Sequence, residues 1–230
     1  MADLELFFDP VCPFCWQTSK FVRQVQRLRG LDVGYRFISL RFLNEPLGYE
    51  GKPEHYPQVH REGTRLLRVA AAVREEHGHE AVGVLYERMG EALWEVAPPP
   101  EDGFDAVLAA QAQGADIPSV LAAAGLSPGF ADAADREDHD PTLRAETDEA
   151  LRRAGDDVGT PILSFSPPDG PAFFGPVISE LPSDQEAVEL YDAIVQLASW
   201  PGFAELKRSL RTLPEVEILD RMRGEVTTRS

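Results

Sequence analysis

The first forty residues constrain the fold of this chain more than any other stretch. Residues 4–8 (LELFF) form an apolar run of strand length, and residues 14–28 then carry apolar side chains at helical spacing until Gly30. Residues 33–40 (VGYRFISL) alternate large apolar side chains with small or charged ones, which predicts a second strand. Two strands joined by a helix normally lie parallel in one sheet, so this segment predicts the start of an α/β fold.

The middle of the chain, residues 45–155, lacks strand patterns and is predicted to be helical. Residues 44–57 hold several Gly and Pro breakers and predict a loop. Two helical patterns fill residues 64–96, and shorter alanine-rich helices follow a run of prolines. Asp140 and Pro141 then predict the N-cap and the first position of another helix.

Strand signals return near the C-terminal end. Residues 161–165 (PILSF) and 172–177 (AFFGPV) are short apolar runs, and the turn residues PPDG between them predict a hairpin. Ser183 and Glu186 have the spacing of a capping box ahead of an amphipathic helix. Residues 201–212 are predicted to add a helical tail. The predicted order of elements is therefore β-α-β, then a block of helices, then β-β-α.

Charge and composition exclude several classes of protein. The 230 residues carry 22 Lys and Arg against 39 Asp and Glu, a net charge of −17. Nucleic-acid binding needs clustered basic residues, and an anionic membrane would repel this chain, so neither partner is expected. The N-terminal residues show no secretory leader pattern and no apolar stretch reaches membrane-span length, so we expect a cytoplasmic protein.

The chain has two cysteines, Cys12 and Cys15, and both lie where the first strand gives way to the first helix. The unpaired N–H groups and the positive dipole of a helix start favour a thiolate at Cys12. Cys15 lies one helical turn deeper on the same face, within reach of Cys12. Pro13 suits the first turn because its missing N–H needs no partner, and Phe14 fills the remaining place. This pattern predicts that Cys12 attacks an electrophile and that Cys15 resolves the mixed disulfide.

Three other interpretations of the cysteine pair compete with redox chemistry. A structural disulfide would close too small a loop to stabilise the chain much, and a cytoplasmic setting is reducing. A zinc site would need two more ligands, and no metal is expected because the remaining candidates are scattered histidines. Those histidines are His55, His60, His77, His79 and His139. Two unreactive buried thiols would have to lie at a helix start by chance, so we favour the redox interpretation.

Six segments in order resemble one protein family. They are FDPVCPFCW, ISLRFLNE, REG, DVGTP, AFFGPV and FAELKR. Together they resemble the DsbA-like branch of the thioredoxin superfamily, and within it the cytoplasmic mycothiol-dependent nitroreductases and disulfide reductases. The resemblance implies an α/β thioredoxin-like fold with a large all-helical insertion. It predicts a discontinuous thioredoxin-like domain (residues 1–44 and 156–212), an insertion domain (residues 45–155) and a C-terminal tail (residues 213–230).

The resemblance also implies roles for individual residues. Cys12 is the expected nucleophile and Cys15 the resolving thiol, and the Thr160–Pro161 bond is expected to be cis and to face Cys12. Asn44 matches an active-site asparagine that can orient substrate. Phe14 stands where the family pattern has tryptophan, so the indole N–H donor is lost. Mycothiol or a similar small thiol is the expected reductant, and a homodimer is expected by family habit.

The residues near the cleft complete the predicted site. His55 and Tyr56 are candidate substrate contacts beside the Asn44 loop, as are Tyr49 and His60, although a solvated histidine or simple packing accounts for such residues as well. Trp16 is a further candidate substrate contact, and core packing is its usual role. The resemblance implies a disulfide or nitroaromatic substrate for the leading hypothesis, a cytoplasmic thiol–disulfide oxidoreductase.

Two other functions stay open at this stage. One is an isomerase similar to the kappa-class glutathione transferases and the 2-hydroxychromene-2-carboxylate isomerases. Those relatives typically carry serine at the reactive position, where this chain has Cys12. The other is a redox-sensing, chaperone-like binding protein that is oxidised once rather than turning over.

Overall fold

The computed structural model, which describes residues 2–208 and 212–226, contains one four-stranded sheet in that part of the chain. Its strands are β1 (Leu4–Phe8), β2 (Val33–Phe37), β3 (Ile162–Phe165) and β4 (Ala172–Phe174). They lie in the order β2–β1–β3–β4, with β1 parallel to β2 and the pairs β1–β3 and β3–β4 antiparallel. This topology confirms the predicted parallel pair, the predicted hairpin and the thioredoxin-like fold.

Helices surround the sheet and fill the long interval between β2 and β3. In chain order the α-helices are α1 (Pro13–Arg29), α2 (Leu40–Asn44), α3 (Tyr56–Trp94), α4 (Phe104–Gln111), α5 (Ile117–Ala123), α6 (Asp140–Ala154), α7 (Asp184–Ala198) and α8 (Asp220–Val226). Short 3-10 helices cover Pro128–Asp135, Glu137–His139 and Glu217–Leu219. Within the described residues, none of these helices combines the length and apolar character that crossing a bilayer requires.

The alternation of side chains along β1 builds the core on both faces of the sheet. Leu4, Leu6 and Phe8 point into the main hydrophobic core, which also holds the buried side chains of α1. Phe7 points to the opposite face and packs with Ile38, Ile162 and Ala150 of α6 in a second cluster. Both faces of the sheet are therefore covered, and the two cysteines lie beyond the C-terminal end of β1, at the start of α1.

The strand predicted over residues 33–40 is too long. β2 ends at Phe37, and α2 begins at Leu40 after Ser39, whose hydroxyl accepts a hydrogen bond from the Phe42 N–H at 3.5 Å. The Leu40 N–H donates to Asp9 Oδ2 at 2.8 Å, so the first backbone groups of α2 are satisfied by side chains. The strand therefore stops before the serine that caps α2. The alternation of hydrophobic residues along the sequence does not reveal such a cap.

The predicted N-cap role of Asp140 is also wrong. Asp140 is the first residue of α6, with Pro141 in the first turn, and the preceding His139 makes no side-chain cap. The Asp140 carboxylate instead accepts two hydrogen bonds from the Arg68 guanidinium of α3, at 2.7 and 2.8 Å. The Asp140 side chain therefore forms a tertiary ion pair with Arg68 and does not cap α6.

The two helical patterns predicted over residues 64–96 are confirmed as the two helical halves of α3, although the first half begins earlier than predicted, at Tyr56. The backbone of α3 breaks at Gly78, where φ is 79° and ψ is −174°. A residue with a Cβ rarely adopts that φ, so glycine permits the change of direction. The helix continues to Trp94 and places its two halves against different parts of the core.

The capping box that precedes α7 is confirmed. The Glu186 carboxylate accepts from the Ser183 N–H at 2.9 Å, and the Ser183 hydroxyl accepts from the Glu186 N–H at 3.4 Å. The helical tail predicted over residues 201–212 is wrong for residues 203–208, which form no helix. Phe203 instead stacks on Phe173, with ring centroids 5.7 Å apart. Residues 209–211 of that prediction lie outside the described residues.

The segment after residue 212 packs back onto the molecule. Val216, Ile218 and Leu219 are buried, and α8 follows them. Residues 227–230 of the predicted C-terminal tail lie outside the described part of the chain. The predicted domain boundaries stay predictions.

We expect Gly90→Ala to destabilise the fold, because a Cβ at this position would lie 2.1 Å from Cε3 of the Trp16 indole. Overpacking of a core typically costs about 1–3 kcal/mol of the free energy of unfolding. Urea denaturation measures this cost. Gly129→Ala is the control, since its Cβ would meet only the Ser127 hydroxyl, at 3.4 Å. Equal stability of the two variants would contradict the close packing of α3 against Trp16.

Candidate active site

Cys12 occupies the N-cap position of α1, directly after the turn that follows β1. Its sulfur accepts a hydrogen bond from the Cys15 backbone N–H at 3.3 Å, and Pro13 opens the helix. The thiol therefore does what an N-cap oxygen does in other helices, and it meets the positive end of the helix dipole. Both contacts favour the thiolate form of Cys12.

Thr160 supplies a second hydrogen bond from the segment that precedes β3. Its hydroxyl donates to the Cys12 sulfur at 3.1 Å, and the Thr160–Pro161 peptide bond is cis. Thr160 immediately precedes β3, whose antiparallel pairing with β1 carries residue 160 to the end of the sheet where α1 begins. Pro161 follows it and has no N–H to compete for the sulfur.

The pKa values of the two thiols are shifted in opposite directions. Burial is the largest influence on Cys12 and opposes its ionisation. Hydrogen bonds from the Cys15 thiol, the Thr160 hydroxyl and the Cys15 backbone outweigh burial and lower the pKa of Cys12. Burial, followed by the hydrogen bond and negative charge of Cys12, raises the pKa of Cys15 well above its ordinary value. The site therefore favours the thiolate at Cys12 and disfavours it at Cys15.

The exposure of the two cysteine residues also differs. Cys12 keeps 6% of its surface accessible, whereas Cys15 has none. Both cysteines are free, with no disulfide between them. Cys12 is therefore the more accessible of the two cysteines.

Asp9 is a functional candidate that the sequence analysis missed. Its carboxylate is fully buried and accepts from the Val11 N–H at 3.0 Å and from the Leu40 N–H at 2.8 Å. Burial raises the pKa of Asp9 to about 7, although both backbone hydrogen bonds act to lower it. The negative charge of Asp9 in turn raises the pKa of Cys12. An acidic residue at the end of a buried strand was the signal available in the sequence.

The helical block brings Tyr56 to the site. Tyr56 is partly buried and packs against the core cluster that contains Cys12. Burial raises the pKa of Tyr56 and the negative charge of Cys12 raises it further, so the phenol is within electrostatic reach of the nucleophile. His55 precedes α3 and is half-buried, with no side-chain cap to the helix.

Asn44 and Trp16 each use a polar side-chain group in a hydrogen bond within the protein. Asn44 ends α2, and its amide nitrogen donates to the Leu40 carbonyl at 2.8 Å, which occupies that donor within the helix. Trp16 is buried, with its ring on Gly90 and its indole N–H donating to Glu95 Oε1 at 2.7 Å. Phe14 is half-buried at the first turn of α1.

Glu95 is the second functional candidate that sequence reasoning missed. One carboxylate oxygen accepts from Trp16 and from the Lys20 ammonium, the latter at 2.8 Å, and the other accepts from the Glu217 N–H at 3.3 Å. The residue therefore joins the cysteine helix α1 to the end of α3 and to the C-terminal segment. No local pattern marks such a residue, because all three partners are distant in sequence.

We expect Thr160→Val to raise the pKa of Cys12, because it removes a donor that stabilises the thiolate. Alkylation by iodoacetamide at pH 6 should then slow by roughly tenfold, the effect of one hydrogen bond to a charged group. Thr160→Ser keeps the hydroxyl and should keep the rate. An unchanged rate in the valine variant would show that Thr160 does not support the thiolate.

The raised pKa of Asp9 predicts how the free energy of unfolding depends on pH. Its pKa is about 7 in the folded chain against 3.8 for an ordinary aspartate, so the folded state retains a proton that the unfolded state has lost between these values. Stability therefore falls as pH rises from about 4 to 7, by on the order of 4 kcal/mol from this residue. Denaturant unfolding at several pH values should show the fall in the wild type and its absence in Asp9→Asn. Parallel pH profiles would contradict the burial of an ionisable Asp9.

Three comparisons relate this chain to known proteins. The family profile described as Rv2466c-like, mycothiol-dependent nitroreductase Rv2466c, matches residues 11–208. The uncharacterized protein Rv2286c of Mycobacterium tuberculosis (strain ATCC 25618 / H37Rv) is 28% identical over 221 residues, which cover 95% of this chain and 86% of that protein. The solved structure of the cytosolic disulfide reductase DsbM from Pseudomonas aeruginosa is similar with a TM-score of 0.48 and 19% identity. That alignment covers 85% of this chain and 99% of the DsbM chain.

The family match includes both cysteines, Thr160 and Pro161, and extends through most of the chain. It agrees with the resemblance carried by the sequence segments and with the thioredoxin-like topology of the sheet. The chain belongs to the Rv2466c-like family of mycothiol-dependent nitroreductases.

Proposed function

We propose that this protein is a thiol–disulfide oxidoreductase whose redox motif is Cys12–Pro13–Phe14–Cys15. The observation that carries the proposal is the asymmetry of the pair. Cys12 accepts hydrogen bonds from the Thr160 hydroxyl and the Cys15 N–H, whereas Cys15 is fully buried with a raised pKa. An attacking thiolate and a protected resolving thiol are the two parts that dithiol exchange requires.

Reduction of a disulfide proceeds in two exchanges. The Cys12 thiolate attacks one sulfur of the substrate, forms a mixed disulfide and releases the other half as a thiolate. Cys15 then loses its proton and attacks the Cys12 sulfur, which forms the Cys12–Cys15 disulfide and releases the second half. The substrate gains two electrons and the cysteine pair loses two. Two molecules of a small thiol restore the pair and leave as their own disulfide.

The family supports mycothiol as that small thiol and nitro compounds as a second substrate class. Conversion of a nitro group to a nitroso group consumes two electrons and two protons and releases one water. The cysteine pair supplies both electrons and the proton of Cys15, and solvent supplies the second proton. A cytoplasmic location, a homodimer and the absence of nucleic-acid or membrane partners stay predictions.

Cysteine variants test the proposal with mycothiol in excess over a disulfide substrate. We expect Cys12→Ser to lower turnover by at least about a hundredfold, because it removes the nucleophile. Cys15→Ser should accumulate a mixed disulfide on Cys12, which intact-protein mass spectrometry detects. Turnover that survives in Cys12→Ser would contradict the mechanism.

The redox potential of the pair decides the direction of the reaction. Alkylation in defined thiol–disulfide buffers measures it. A potential near about −270 mV, as in thioredoxin, supports a reductase, and one near about −120 mV, as in DsbA, contradicts it.

A further inference from the structure

Three basic side chains at the α2–α3 junction (residues 40–63) have no acidic partner. They are Arg41 of α2, Lys52 of the connecting loop and Arg61 of α3. In the part of the chain that the structure describes, most Lys and Arg residues pair with a carboxylate, but none of these three does. Because the chain has a net charge of −17, carboxylates are plentiful, and three unpaired cations in one region are unusual.

A hydrogen-bonded pair, Tyr49 and His60, connects the three cations. The Tyr49 hydroxyl lies 2.9 Å from His60 Nδ1. The Lys52 N–H donates to the Tyr49 carbonyl at 3.1 Å, and Arg61 follows His60 directly in α3. Burial raises the pKa of Tyr49, and the positive charges of Arg41 and Arg61 act to lower it. Burial, followed by the positive charge of Lys52, lowers the pKa of His60 to about 4. The three cations therefore share one neighbourhood, in which His60 is neutral near pH 7.

Contacts with Asp9 place the α2–α3 junction next to the turn that carries the nucleophile. The N–H of Leu40, the first residue of α2, donates to Asp9 Oδ2 at 2.8 Å. Gly63 lies about one helical turn after His60, and a Cβ there would be 2.5 Å from Asp9 Oδ1. The Asp9 carbonyl accepts from the Cys12 N–H at 3.1 Å. The junction and the cysteine turn are therefore joined through one residue.

The cations are accessible to a ligand. Lys52 and Arg61 are exposed, and Arg41 is half-buried. Arg61 Nε donates to the neutral Gln58 amide oxygen at 3.0 Å, which leaves the guanidinium charge uncompensated. A guanidinium can bind both oxygens of a carboxylate, and an ammonium group adds a further charged donor.

The acidic residues of the junction leave this positive charge in place. Glu45 binds Arg144, at 2.7 Å. Glu50 and Glu54 are exposed in the loop, and neither pairs with a cation among the described residues. A carboxylate from a ligand can therefore occupy a position that no carboxylate of the described chain takes.

We propose that Arg41, Lys52 and Arg61 form a subsite that binds a carboxylate group of the disulfide substrate. The inference rests on the proposed function and names the charge that the substrate carries. The Cys12 thiolate and the Asp9 carboxylate are negative, and the chain as a whole repels anions. A carboxylate-bearing disulfide therefore needs local positive charge to reach Cys12, and these cations supply it beside the cysteine turn.

The test compares three small disulfides that differ in charge. They are 3,3′-dithiodipropionate, which carries carboxylates, the neutral bis(2-hydroxyethyl) disulfide, and cystamine, which carries ammonium groups. The double variant Lys52→Gln, Arg61→Gln should lower kcat/KM for dithiodipropionate by about three- to tenfold, the combined effect of two exposed ion pairs. Its kcat/KM for the neutral disulfide should stay within about twofold of wild type, and that for cystamine should not fall. At roughly 1 M salt the loss for dithiodipropionate should disappear, because charges are then screened within about 3 Å.

The matched control is the double variant Lys207→Gln, Arg208→Gln. It removes the same two kinds of charge from exposed positions in the segment that follows α7. All three disulfides should keep kcat/KM within about twofold of wild type in this control. Thermal unfolding verifies that both variants are folded.

The possible outcomes separate this inference from the proposed function. A loss that is confined to dithiodipropionate and to the Lys52, Arg61 variant supports the subsite. Equal losses for all three disulfides, no loss, or the same loss in the control overturn the subsite, while the proposed function stands if Cys12→Ser is inactive. Activity that persists in Cys12→Ser overturns the proposed function and the subsite together.

Discussion

The buried carboxylate of Asp9 holds together the turn on which the site depends. It accepts the N–H groups of Val11 and Leu40, so the link from β1 to α1 and the link from β2 to α2 are joined at one side chain. The Asp9 carbonyl also accepts from the Cys12 N–H at 3.1 Å. Gly63 of α3 leaves room for this arrangement, since a Cβ there would lie 2.5 Å from Asp9 Oδ1. The position of the nucleophile follows from these contacts.

The reactivity of the site results from a balance between burial and hydrogen bonding. Burial opposes a negative charge on either sulfur, yet Cys12 has donors from the helix start and from Thr160, whereas Cys15 lies beneath it and beside its charge. The pKa values of the two thiols are therefore shifted in opposite directions although both residues come from one short turn. The helical block contributes Tyr56, which lies within electrostatic reach of Cys12, and Glu95, which accepts a hydrogen bond from the Trp16 indole.

The fold was largely predictable because its signals are local. The apolar run over Leu4–Phe8, the helical period that follows it and the Ser183 capping box each depend on residues close in sequence. The errors arose where distant partners decided the outcome. Asp140 binds Arg68 instead of capping α6, and Phe203 stacks on Phe173 instead of continuing a helix. Of the site, Cys12, Cys15 and Thr160 were recognisable from motifs, whereas Asp9 and Glu95 were not.

The sequence by itself determined that a cysteine pair lies at a strand-to-helix turn, because spacing and helical period are properties of the local chain. It also determined the order of strands and helices that leads to a thioredoxin-like sheet. Only the tertiary structure decided that Cys12 receives a second donor, because the Thr160 hydroxyl comes from 148 residues away in the chain. The tertiary structure likewise decided that Asp9 is buried. Burial and electrostatics depend on what surrounds a group in space, and neighbours in sequence do not specify those surroundings.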